Sequence, residues 1–187
     1  LRKADAPIDD LMQSGGLLIT GCPRSAMKSV TKYFESHGVS LGHETDGEMG
    51  TVDWRYAYTP EPDFILRLTL VRDPLDTVLS LTELIMHCDR KSDIWKDIQS
   101  MSVMGGWGEK LKDLDFIGAA TDWWTTVYKR LYHYPLIKVE HIPKLPESNH
   151  HRLIDRDFDV RWALKGEEDF WRVARMYGYY LEELDSE

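Results

Sequence analysis

The strongest constraint on the fold lies near the start of the chain. Leu17-Leu18-Ile19-Thr20 is a short apolar run closed by Gly21. A run of that length bounded by turn residues reads as a buried strand. Gly21-Cys22-Pro23 must then turn, because Gly and Pro punctuate regular structure. From Ala26 to His37 the residues Met27, Val30, Tyr33 and Phe34 recur at helical spacing, and Gly38 stands where a helix stop belongs. Buried strand, tight turn and helix in that order open a strand–helix–strand unit. Such units build parallel sheets with helices packed on them.

The remaining pattern repeats this alternation. Val39-Ser40-Leu41 reads as a second strand, and residues 42–62, with their Gly, Pro and charged residues, as a long loop. Phe64 to Val71 reads as a central strand that ends in Arg72-Asp73-Pro74. Asp before Pro marks a helix start, and this helix is expected to run to about Cys88. A short helix is expected over 92–104, a turn at Gly105-Gly106-Trp107-Gly108, and a helix over 119–132 with Trp123, Trp124, Val127 and Leu131. Pro135 to Glu140 reads as a late strand, and 167–185 as a closing amphipathic helix with Phe170, Val173, Ala174, Tyr177 and Leu181. Residues 1–14 read as an arm or a short helix, and 143–161 show no period. The 187 residues are thus expected to form one α/β domain with a mainly parallel sheet of about four to five strands.

Composition narrows function. Lys and Arg number 23 against 32 Asp and Glu, a net charge of −9. Nucleic acids and anionic membranes reward a basic surface, so neither is an expected partner. No apolar run approaches the roughly 20 residues of a membrane span. The two cysteines, Cys22 and Cys88, form no disulfide framework or CxxC pair, and no metal site is expected. A soluble, cytoplasmic protein is the expectation.

Two segments carry chemistry. The first is Gly21-Cys22-Pro23-Arg24-Ser25-Ala26-Met27-Lys28-Ser29, between strand and helix. The free N–H groups of a first helical turn bind oxyanions. Arg24, Lys28 and Lys32 gather here with no acidic residue between Leu17 and Phe34, while Ser25 and Ser29 add hydroxyls. The segment reads as a phosphate or sulfate cradle. It is not the GxxxxGK[ST] loop of ATP-hydrolysing enzymes, because Met27 precedes Lys28 and Gly21 lies one position too far upstream. The second segment runs from Arg72 to Ser80. An Arg at a strand end and a Ser two turns into the next helix can converge on one anion.

Together these segments resemble the sulfotransferase family, whose members transfer the sulfuryl group of 3'-phosphoadenosine 5'-phosphosulfate (PAPS). The features that carry the likeness are the Gly-x-Pro-Arg-Ser loop at Gly21–Ser25 and the eight-residue step from Arg72 to Ser80. Gly42-His43-Glu44 and Leu136–His141 also resemble a bacterial-type subgroup. The likeness spans about residues 16–142. It implies a P-loop-type three-layer α/β/α fold and a metal-free transfer to a small-molecule or carbohydrate acceptor.

By the same resemblance, Gly21, Pro23, Arg24, Ser25, Ala26, Met27, Lys28 and Ser29 hold the 5' end of the donor, and Arg72 and Ser80 the 3'-phosphate. Arg24 and Lys28 would stabilise charge on the leaving phosphate. Glu44 is the preferred base, then His43, with Asp46, Glu48 and His87 also possible. Ala26-Met27 stands where the family has Gly-Thr. Two other readings are open: a P-loop nucleotide kinase or NTPase, and a nucleotide-binding relative without chemistry. Trp54, Trp123 and Trp124 are expected to pack, and His150-His151 to hold no zinc.

Overall fold

The computed structural model describes residues 16–58, 64–143, 145, 164 and 166–180. Strand β1 spans Leu17–Gly21 and helix α1 Met27–Ser36; β2 spans Gly42–His43 and β3 Gly50–Val52. A 3-10 turn covers Trp54–Ala57, then β4 spans Leu66–Val71 and α2 Pro74–His87. Helices α3 (Asp93–Gly105), α4 (Gly108–Lys112) and α5 (Phe116–Leu131) lead to β5 (Leu136–Lys138), and α6 covers Glu168–Met176. The strands form one sheet in the order β2-β3-β1-β4-β5, every pair parallel. This is a three-layer α/β fold.

All five residues of β1 are buried, as a strand covered on both faces requires. Arg67 on β4 is also buried, and its guanidinium donates to Tyr134 Oη at 3.0 Å and lies 4.9 Å from the same ring. The main aromatic mass comes from α5, where Trp123, Trp124, Val127 and Tyr128 are fully buried against α2 and α6. Tyr128 pins α5 to the sheet, donating to Leu70 O at 2.8 Å. Tyr177, just past α6, donates to Tyr128 O at 2.8 Å.

Several expectations need correction. The second strand falls on Gly42–His43, not on Val39–Leu41, and the expected loop over 42–62 contains β2, β3 and the 3-10 turn. β2 and β3 are parallel although only six residues separate them. Glycines make this return possible: a Cβ on Gly42 would fall 2.0 Å from Thr45 O, and one on Gly47 2.1 Å from Gly42 N. Gly108 begins α4 instead of closing a turn, and α6 ends at Met176, with 177–180 outside it. The expected arm over 1–14, most of 143–161 with His150-His151, and 181–185 lie outside the described residues. No helix among the described residues is long and apolar enough to cross a membrane.

Candidate anion-binding site

β1 ends at Gly21, which has no room for a side chain: a Cβ there would lie 2.3 Å from Leu70 O on β4. The following loop is braced from within. Ser25 is fully buried, and its hydroxyl donates to Cys22 O at 2.6 Å. The Cys22 N–H reaches Tyr128 Oη at 3.4 Å. Burial pushes both the Cys22 thiol and the Tyr128 phenol well up from their ordinary values, so both stay neutral. Ser25 therefore shapes the loop, and the loop's charge comes from Arg24 and Lys28.

Two residues of this loop hold left-handed backbone without being glycine. Arg24 has φ 71° and Ala26 has φ 65°, with Ser25 between them outside that region. Each such residue costs about 1–2 kcal/mol. Strain held in place by surrounding structure clusters where function needs it. Within the loop the Ser25 N–H donates to Cys22 O at 3.2 Å, which leaves the first turn of α1 to offer donors. Ala26 is the cap of α1 but its side chain caps nothing, and the first turn carries no acidic residue. The first N–H groups of α1 thus have no side-chain partner in place. Lys28 is exposed and makes no hydrogen bond or ion pair among the described residues. Met27 and Ser29 are buried.

The second segment leaves the sheet beside the first, because β1 and β4 are neighbours with Gly21 level with Leu70. Asp73 caps α2, accepting the Asp76 N–H at 2.9 Å. Arg72 Nη2 pairs with Asp76 Oδ2 at 2.7 Å. Two turns into α2, Ser80 Oγ accepts the Nε–H of Arg24 at 2.8 Å. That bond joins the two segments across 56 residues of sequence. Burial lowers the Arg24 pKa from its ordinary value; the charge of Glu83 opposes the shift and that of Arg72 adds to it. Glu83 lies one turn beyond Ser80 and is itself buried. Sequence reading missed it, although its i,i+3 spacing from Ser80 puts it on the same helix face.

The third group lies at the ends of β2 and β3. His43 is level with Val52, and Val52 with Ile19, so His43 sits two strands from β1, about 10 Å away. Glu44 is held at three points. Its N–H donates to Val52 O at 3.0 Å, and Arg55 Nη2 donates to Glu44 O at 2.8 Å. Trp54 Nε1 donates to Oε1 at 3.0 Å. The Glu44 backbone is left-handed, with φ 57°. Asp53 receives Arg55 through Nε and Nη2, which raises the Arg55 pKa from an already high value. Trp54 packs, as expected, edge-on to Trp123 at 5.7 Å, but its hydrogen bond to Glu44 was not legible. Asp46 and Glu48 are exposed on the β2–β3 connection. His87 ends α2, about 10 Å along the axis beyond Ser80.

Glu140, just after β5, ties this end of the sheet together. Its Oε1 accepts the Asp73 N–H at 2.6 Å and its Oε2 the Tyr179 hydroxyl at 2.9 Å. No group of His, Cys, Asp and Glu among the described residues is arranged to hold a metal ion.

No family model, curated protein or solved structure matches this chain. The C-terminal ends of β1 and β4 bring two guanidinium groups, an exposed lysine and a helix N-terminus to one region, and a fixed carboxylate stands two strands away. Such an arrangement suits a ligand with more than one anionic group, beside a group able to accept a proton.

Proposed function

We propose that this chain is a sulfotransferase that moves a sulfuryl group from PAPS to a hydroxyl or amine of a small-molecule or carbohydrate acceptor. The observation that carries the reading is the 2.8 Å bond from Arg24 Nε to Ser80 Oγ. It makes one site of two segments that separately suit phosphate and phosphosulfate. Arg24, Lys28 and the N–H groups of Met27, Lys28 and Ser29 bind the 5' end of the donor, and Arg72 and Ser80 bind the 3'-phosphate.

Transfer passes through a loose, in-line arrangement in which negative charge grows on the leaving phosphate. Lys28, exposed and without a partner among the described residues, is with Arg24 the cation positioned by the loop and α1 to meet that charge. Glu44 accepts the acceptor's proton. Trp54 occupies its Oε1 and leaves Oε2 to do so. His43 is the second choice for this role.

A relative that binds the donor without turnover is the competing reading. The buried side chain of Met27 favours it, since a hydroxyl donor stands there in the resembled family. The deciding experiment follows radiolabelled sulfate from PAPS to a panel of phenols, amino sugars and oligosaccharides in the presence of EDTA. Label transfer that falls about 100-fold or more in Glu44→Gln supports the proposal, within the usual range for loss of a general base. Donor binding without transfer supports the non-catalytic relative. Consumption of ATP in a parallel incubation with ATP and magnesium and no EDTA, with no label moved from PAPS, would replace both with a nucleotide kinase or NTPase.

A further inference from the structure

We propose that Trp54 is a positioning residue for the base: its indole N–H fixes Oε1 of Glu44 so that Oε2 takes the acceptor's proton. This inference rests on the function proposed above, in which Glu44 is that base.

Glu44 follows directly on β2 and holds a left-handed backbone, φ 57°. Glycine would take that conformation without strain, so a glutamate there is kept by its surroundings. Both flanking peptide groups are tied. The Glu44 N–H donates to Val52 O at 3.0 Å, and the Glu44 carbonyl accepts Arg55 Nη2 at 2.8 Å. Arg55 is held in turn, because its Nε and Nη2 bind the buried carboxylate of Asp53 at 3.0 and 2.8 Å. The Asp53 N–H donates to Ile19 O at 3.0 Å. The base is thus tied to β1, the strand that ends at the anion loop.

The side chain has a different anchor. Glu44 is exposed, whereas Trp54 is buried. The Trp54 ring lies edge-on to Trp123 at 5.7 Å, and Trp123 stacks on Trp107 at 5.0 Å. That packing aims Nε1 at Glu44 Oε1, 3.0 Å away. An indole N–H only donates. It cannot take the proton itself, and it holds Oε1 whether Glu44 is charged or protonated. A neutral donor also lowers the basicity of a carboxylate less than a cation does. The charge of Arg55 is shared with Asp53 on its own turn and with Asp97 on α3.

In the step itself the acceptor's O–H or N–H proton passes to Oε2. The acceptor atom bonds the sulfur, and the bond from sulfur to the 5'-phosphate oxygen breaks. Its electron pair leaves with adenosine 3',5'-bisphosphate.

A double-mutant cycle separates positioning from packing. Transfer of radiolabelled sulfate from PAPS to the same acceptor panel is followed in wild type, Trp54→Phe, Glu44→Gln and the double variant. Trp54→Phe keeps an aromatic ring against Trp123 and removes the N–H. Its kcat is expected to fall about 10-fold or more, as for a misplaced catalytic group, with KM for PAPS changed by less than about twofold. In the Glu44→Gln background the same substitution is expected to change kcat by less than about twofold. An unchanged kcat in Trp54→Phe, or a loss of equal size in the Glu44→Gln background, would overturn the assignment. Should Trp54→Phe lack a melting transition, benzothienylalanine at position 54 applies the same criterion, with sulfur in place of N–H and both rings kept. A wild-type chain that moves no label would instead remove the function proposed above, and this assignment with it.

Discussion

Ala26 sits at φ 65° and ψ 24°, where a Cβ is costly and glycine is at ease. Replacing it with glycine relieves about 1–2 kcal/mol of backbone strain and returns about 0.4–1 kcal/mol through the freer unfolded chain. Ala26→Gly is therefore expected to stabilise the protein by about 0.5–1 kcal/mol, a rise of about 1–4 °C in melting temperature at this chain length. An unchanged or lower melting temperature would mean that the loop does not hold this conformation. At this scale the sequence was informative where a residue type was out of place. Arg24, Lys28 and Arg72 stood out as cations in an acidic chain. Glu83 and the hydrogen bond from Trp54 to Glu44 did not, because each depends on contacts between elements that composition and spacing do not reveal.

Elements with strong patterns were legible and short ones were not. β1, β4, α1, α2 and α5 announced themselves by apolar runs, helical spacing and the Asp-Pro start of α2. β3 is the inner neighbour of β1, yet it is only Gly-Thr-Val and shows no period. Its place comes from pairing with Leu17–Ile19, a tertiary fact. β2 was displaced for the same reason. The start of α2 also carries a pH signature. Burial raises the Asp73 pKa from its ordinary value, and the nearby charges of Asp76 and Glu140 add to the shift, against the backbone donors that lower it. A carboxyl with a raised folded-state pKa contributes stability fully below its unfolded value and loses it as pH rises through the folded one. Asparagine keeps the cap and removes the charge. Asp73→Asn should thus gain stability relative to wild type as pH rises from about 4, the ordinary aspartate value, to 7. Urea midpoints at both ends check this, and a gap that stays constant or moves the other way would contradict it.

At the scale of the molecule, the alternation of strands and helices predicted the parallel sheet, but not its order. Placing β1 between β3 and β4 sets the loop after β1 beside the start of α2. This neighbourhood, more than either motif alone, makes a single site. The proposed anionic ligand would meet a local set of cations, Arg24, Lys28 and Arg72, in a chain whose net charge is −9. The direct test is a thermal-shift titration of wild type and Arg72→Ala with adenosine 3',5'-bisphosphate, set against ATP with magnesium. At 100 times its dissociation constant a ligand stabilises by about 2.7 kcal/mol, a rise of about 5–11 °C at this size. That rise is expected with the bisphosphate, without magnesium, and is expected to be lost in Arg72→Ala. A shift seen only with ATP and magnesium would contradict it.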